Sequence, residues 1–332
     1  MSATHQSAVC TALTGPDSIE LRDIARSAMP TGSVRIAMKA AGVNFPDYLL
    51  TRGEYQLKLD PPFTPGMEIA GVIVETDETS GRFRVGDKVM AATRIGGFAE
   101  EAVVPQSAVV PLPAPFSFAE GASFMVAQQT AYHALVNRGG LLAGETVLIL
   151  GATGGVGMAA IQLASHLGAR VIAVGSSDEK LAAAKAAGAD MVVNYRNGDL
   201  VEMVRALVKQ VDVVFDAVGG DLAIQAARLL GWRGRFLIVG FASGDIPSFA
   251  GNLALLKGYS IIGVRAGEAA RLDPAGAAAA TKALLGWAAE GALRPHISHR
   301  FALADAASAL RTLANREVVG RVVITNGDYD ER

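Results

Sequence analysis

The stretch Gly151-Ala152-Thr153-Gly154-Gly155-Val156-Gly157 carries the clearest chemistry in the chain. A phosphate can approach main-chain N–H groups only where no Cβ intervenes. The spacing Ala152-x-Gly154-x-x-Gly157 meets that need, with Ala152 in place of the first glycine of the usual pattern. An apolar run, 146–150, leads into the turn. Beyond it Val156, Ala159, Ala160, Leu163 and Leu167 recur at helical spacing up to Gly168. A second apolar run, 171–174, follows. Strand, glycine turn, helix and strand in this order make a βαβ unit. The helix N-terminus after such a turn offers unpaired donors and a positive dipole end to a pyrophosphate. The expected ligand is therefore a dinucleotide.

The end of the second strand selects which one. Sites for NAD usually place Asp or Glu there, accepting from the ribose 2′-OH. Here the strand ends Gly175-Ser176-Ser177, with Lys180 one turn on. A small neutral side chain and a cation would meet a 2′-phosphate with donors instead of repulsion, which favours NADPH over NADH. Asp178 and Glu179 read as solvated first-turn residues of the next helix.

The elements that must position these residues follow from bulk properties and order. A chain of 332 residues, 51% apolar and with a formal net charge of −2, suits two domains with full cores. The near-neutral balance gives no electrostatic footprint for nucleic acid, and no basic patch is visible. A single cysteine, Cys10, excludes an intramolecular disulfide and a thiolate zinc site. No secretory signal and no apolar run of membrane-spanning length is visible, so a cytoplasmic protein without membrane partners is expected.

Residues 1–125 read as a β-rich domain, a partly open barrel. Its strands are expected at 7–13, 33–41, 68–75, 88–92 and 99–104, separated by Pro and Gly turns. A helix over 118–135 leads into the nucleotide unit. Four more strands, 191–194, 211–217, 235–241 and 260–264, alternate with helices, so 126–266 should form a six-stranded doubly wound parallel sheet. Ligands on such sheets bind at the carboxyl ends of the strands. The tail, 267–332, is expected to return to the first domain through a helix at 274–291, a strand at 297–303, a helix at 304–316 and a strand at 321–325.

The order of these pieces resembles the medium-chain dehydrogenase/reductase superfamily, and its zinc-free quinone oxidoreductase (zeta-crystallin-like) branch most closely. The resemblance is carried by Ala41-Gly-Val-Asn44-Phe-Pro-Asp47, Arg52-Gly-Glu-Tyr55, Pro65-Gly-Met-Glu68-Ile-Ala-Gly71 and Val85-Gly-Asp-Lys-Val89. It continues in Gln129-Thr-Ala-Tyr132, Gly154-Gly-Val-Gly157, Asn194-Tyr-Arg196 and Asp216-Ala-Val-Gly-Gly220. It implies a GroES-like first domain and a Rossmann second domain. It also implies no metal. Asn44 stands where the zinc alcohol dehydrogenases have a ligating Cys, Met67 where they have a ligating His, and Gln128 near the third ligand position. Glu68 is expected to be structural.

The same resemblance assigns roles residue by residue. Asn44 and Asp47 match the loop facing the nicotinamide, and Thr130 a helix residue near its ribose or carboxamide. Gly154, Gly155 and Val156 match the pyrophosphate turn. Ser176, Lys180 and Tyr195 match residues around the 2′-phosphate, which Arg316 reaches from the tail. Phe241, Ala242 and Arg265 match strand-end contacts to the nicotinamide half. Tyr55 matches a tyrosine beside the substrate and is the expected donor to the acceptor's oxygen; Asn44 could orient a substrate carbonyl, and Asp47 is more an orienter than a proton donor. The implied activity is NADPH-dependent hydride transfer to a quinone or an α,β-unsaturated carbonyl. An enoyl-thioester reductase and an NADPH-binding structural or regulatory protein with little turnover stand as alternatives. The edge strand 260–264 could pair with its mate, so a homodimer is expected.

Overall fold

The structure is a computed structural model that describes residues 3–77 and 81–327. The outermost ends of the expected first domain and tail, 1–2 and 328–332, lie outside the described residues. The chain divides into two compact units: residues up to Val126 together with those from Pro295 onward, and Ala127–Arg294. The return to the first unit thus begins at Pro295, not at 267. The helix Pro274–Ala289 stays with the second unit because it buries Leu284 and Ala288 there and sets Trp287 against Tyr132 and His166.

The second unit is a doubly wound α/β domain. Its six strands are all parallel and lie in the order Met191–Asn194, Arg170–Gly175, Thr146–Leu150, Val211–Asp216, Leu230–Ile238, Ser260–Gly263. Side chains alternate along each strand, so each central strand feeds two cores. Val147 and Ile149 pack with Ala160, Leu163 and Leu135 on one face, and Leu148 and Leu150 with Val204, Ala226 and Val201 on the other. The fifth strand starts five residues earlier than the sequence predicts. Arg233, in the left-handed region at φ +62, and a register shift beside Val211 let the irregular segment 230–234 join the ladder.

The first unit is the expected β-rich domain. Strands Ile297–Ala302, Arg321–Thr325, Ser33–Val43, Glu68–Thr76, Lys88–Ala92 and Val109–Pro111 run side by side in that order, and Glu101–Pro105 also pairs with Ser33–Val43. A separate hairpin joins Thr4–Cys10 to Ile19–Ala25. The strands Ile19–Ala25 and Val109–Pro111 were not legible in the sequence, since the first is mostly exposed and charged and the second only three residues long. The predicted helix 118–135 is broken. A capping box between Ser117 and Glu120 starts Phe118–Ala122, a second helix runs Met125–Tyr132, and a π-helical turn His133–Arg138 completes it. Among the described residues no helix is long and apolar enough to cross a membrane.

One polar cluster sits inside the first unit. The helix Phe45–Thr51 opens with Asn44 as N-cap and Asp47 at its third position. Asp47 is wholly buried and accepts from the main-chain N–H of Asn44 (2.9 Å) and of Gly66 (3.1 Å). Burial pushes its carboxyl up to about 7, against the pull of those two donors. A folded-state value above the unfolded value of about 4 means that the folded chain holds the proton more tightly. That contribution is fully present below pH 4 and is lost as pH rises through 7. Unfolding followed by denaturant titration between pH 4 and 7 should therefore show the native chain losing stability at up to about 1.4 kcal/mol per pH unit relative to Asp47→Asn. Parallel profiles for the two proteins would show that Asp47 is ionised throughout.

Candidate active site

The glycine turn joins the strand Thr146–Leu150 to the helix Gly155–His166. The helix Gly155–His166 has Gly154 as its N-cap, with no side-chain cap and no acidic residue in its first turn. Its end therefore offers N–H donors and the positive dipole pole with no internal anion in competition. Gly157 makes the tight entry possible: a Cβ there would stand 2.2 Å from the carbonyl oxygen of Gly151. Gly154, Gly155 and Val156 are half-buried at this turn.

The next two strand ends lie alongside. Val174 is in register with Leu150, and Gly175 with Asn194, so Ser176 and Tyr195 follow adjacent strand ends, while Lys180 stands in the first turn of the helix Asp178–Ala186. Ser177 caps the following helix by accepting from Lys180 N (3.4 Å). Asp178, the first residue of that helix, accepts from Asn194 Nδ2 (3.0 Å). Tyr195 packs its ring against the core below.

The opposite half of the crest is organised by a residue whose role the sequence did not reveal. Asp216 ends its strand fully buried, and Oδ1 accepts from Val218 N (2.8 Å) and Gly219 N (2.9 Å) while Oδ2 has no partner among the described residues. Burial raises its pKa, and the two N–H donors oppose the shift. The turn so fixed holds the next loop, because Ala242 N donates to Ala217 O and Ser243 N to Val218 O. Phe241 and Ala242 are exposed on that loop, and Arg265 is exposed as the N-cap of Ala266–Leu272 after the last strand. Thr130 is half-buried on Met125–Tyr132, between Gln129, which bonds Thr281 (3.0 Å), and the core residue Ala131.

In the first unit the remaining candidates separate by environment. Asn44 is 3% exposed and spends both ends of its amide internally: Nδ2 donates to Glu68 Oε1 (3.0 Å), and Oδ1 accepts from Arg321 Nη1 (2.9 Å). Arg321 pairs with the same Glu68 oxygen, and Glu68 Oε2 accepts from Val126 N (3.0 Å). Gly42 leaves room for this carboxylate, since a Cβ there would stand 2.7 Å from Glu68 Oε1 and 2.1 Å from Ala122 O. Glu68 is thus a structural anchor, and Asn44 and Asp47 hold the 44–51 segment from within. Arg321 gave no sign in the sequence, because its partners stand 253 and 277 residues away. Tyr55 is half-buried against Cys10, Leu50 and Phe63 just beyond the helix. Arg316 is exposed at the turn after the helix Ala306–Ala314, with φ +59. Among the described residues no three His, Cys, Asp or Glu side chains gather in a way that could hold a metal ion.

Comparison with known proteins shows the family. Residues 30–114 match the family model of the alcohol dehydrogenase GroES-like domain, and residues 155–281 that of the zinc-binding dehydrogenases. Quinone oxidoreductase-like protein 2 of Bos taurus is 36% identical over 97% of this chain and 92% of its own. A probable oxidoreductase from Mycobacterium abscessus shares 38% identity and a TM-score of 0.88 over 97% of this chain and 99% of that one. The Escherichia coli quinone oxidoreductase, solved as a complex with NADPH, shares 26% identity and a TM-score of 0.87 over 97% of this chain and 100% of that one. Motifs, fold and relatives converge: the chain belongs to the quinone oxidoreductase family of the medium-chain dehydrogenase/reductase superfamily.

Proposed function

We propose that the protein is an NADPH-dependent, zinc-independent reductase of quinones or α,β-unsaturated carbonyls. The observation that carries the cofactor half is the uncapped helix end at Gly154 beside a strand end that presents Ser176 and Lys180, with Asp178 tied to Asn194. Gly154, Gly155 and Val156 would hold the pyrophosphate, and Ser176, Lys180, Tyr195 and Arg316 the 2′-phosphate. Thr130, Phe241, Ala242 and Arg265 would line the nicotinamide half. The cofactor supplies a hydride. The NADPH bound in the E. coli relative supports the same choice.

The acceptor class follows from the donor set. Asn44, Met67 and Gln128 provide no thiolate or imidazole for zinc, so no Lewis acid is expected to polarise a simple ketone. Quinones and enones need less help, because the incoming charge delocalises onto oxygen. One hydrogen-bond donor at that oxygen suffices, and Tyr55 is assigned this role, with the proton coming from its hydroxyl or from water. Asn44 and Asp47 act as positioning residues, since their side chains are buried and already bonded. The outer strand Ser260–Gly263 leaves one sheet edge open, with Ile261 41% exposed, and pairing of two such edges would give a homodimer.

Three measurements test this reading. Purified protein with NADPH and a panel of benzoquinones, naphthoquinones and simple enones should consume nicotinamide absorbance, and Tyr55→Phe should slow the enones about a hundredfold but the quinones much less. No consumption with any acceptor would remove the enzyme assignment. Lys180→Ala should weaken NADPH binding about tenfold and leave NADH nearly untouched; equal losses would show that Lys180 does not read the 2′-phosphate. Light scattering should give twice the chain mass of 34.3 kDa, whereas the single mass at micromolar concentration would exclude the dimer.

A further inference from the structure

The amino ends of the strands in the second unit carry a feature that the hydride reaction does not use. Where Val211 and Leu230 begin their strands in register, a cavity of about 310 Å³ opens. Arg205, Lys209, Arg228 and Lys257 line it, and no carboxylate does. In the sequence these four cations are spread over fifty residues, so no basic patch could be seen. Three helix C-termini bring them together: Arg205 stands in the last turn of Leu200–Leu207, Arg228 is the C-cap of Gly220–Ala227, and Lys257 ends Gly251–Lys257.

Helix ends attract cations, which is the simplest account of such a cluster. It explains Lys257, whose Nζ donates to the carbonyls of Arg228 (2.6 Å) and Leu230 (2.9 Å). It leaves Arg205, Lys209 and Arg228 without an ion pair or side-chain hydrogen bond among the described residues. Burial lowers the pKa of Lys257, and the positive charges of Arg205 and Arg228 lower it further, so the cluster repels itself. An anion in the cavity would relieve that repulsion. One wall is apolar: Trp232 is 70% exposed beside the cavity with its ring laid over Gly258, and Leu256 is 72% exposed. A planar ring could stack there. The recess is concave and at the small end of ligand-pocket volumes, which favours a mononucleotide-sized molecule over a lipid surface.

We propose that this cavity is a second ligand site, for a phosphate-bearing molecule of mononucleotide chemistry, at the end of the sheet opposite the glycine turn. The proposal does not depend on the NADPH reading. The chain has two tryptophans, so Trp287→Phe leaves Trp232 as the only reporter. With the glycine-turn site filled by excess NADP+, titration of this protein with ADP at fixed ionic strength should quench its emission saturably, and calorimetry on the native chain under the same conditions should show the same affinity, covering the case in which Trp287→Phe folds poorly. Pyrophosphate should bind the same site about tenfold more weakly, having no ring to stack. Arg228→Ala and Lys209→Ala, both at exposed positions, should each weaken ADP about tenfold. The proposal fails if no saturable quenching appears, if ADP affinity is unchanged in both variants, or if pyrophosphate binds as tightly as ADP. It also fails if light scattering shows that Arg228→Ala dissociates a dimer, which would assign the cavity to subunit contact.

Discussion

A helix N-terminus with nothing of its own to cap it is the constraint on which the proposed function of this protein rests. Three helices in the second unit are closed by a side chain, Ser177, Asp199 or Asp273, and two others, Gly220–Ala227 and Ala266–Leu272, carry an acid in the first turn; the short Gly251–Lys257 has neither. The helix Gly155–His166 has only Gly154, and its first turn contains no acid. Unsatisfied N–H groups at the carboxyl edge of a parallel sheet are costly unless water or an anion meets them. The close approach of Gly157 to Gly151 O fixes the turn geometry, and the neighbouring strand ends then determine what surrounds any anion held there.

The first unit is built around a different constraint, a charge pair taken out of water. Glu68 and Arg321 are both nearly fully buried, and such a pair is tolerated only when its remaining donors and acceptors are satisfied. Asn44 Nδ2 and the main-chain N–H of Val126 supply that satisfaction on the Glu68 side, and Gly42 leaves the room for it. Arg321 Nε remains unpaired among the described residues. The pair joins the returning strand Arg321–Thr325 to the strand Glu68–Thr76, so the end of the chain is locked to its beginning by charge as well as by the ladder with Ser33–Val43. Around Asn44 the chain thus fills the region with hydrogen bonds among its own side chains and main chain.

Legibility in the sequence followed the physics of each element. The strands Met191–Asn194 and Arg321–Thr325 were read to the residue because an apolar run ended on a polar or glycine stop. The strand, glycine turn and helix at 146–166 were readable because the whole signal is local in the chain. Ile19–Ala25 was not, because it faces solvent on most of its length and carries charges where a strand signal needs alternation. The break near Ser123 in the helix 118–135 was hidden, since no proline marks it and Ser123 closes the first helix through main-chain carbonyls, its Oγ donating to Ala119 O. For the candidate site, local motifs located Gly154, Ser176 and Lys180. Burial and long-range pairing, which no motif encodes, decided that the amide of Asn44 is already occupied, that Asp216 organises two loops, and that Arg205, Lys209, Arg228 and Lys257 converge.

A crystal of this protein grown with NADPH would test the central claim most directly. The account places the pyrophosphate over the amides of residues 154–157 and the 2′-phosphate beside Ser176 and Lys180. A dinucleotide bound elsewhere on the chain, or a first turn of Gly155–His166 that makes no contact with the pyrophosphate, would contradict it.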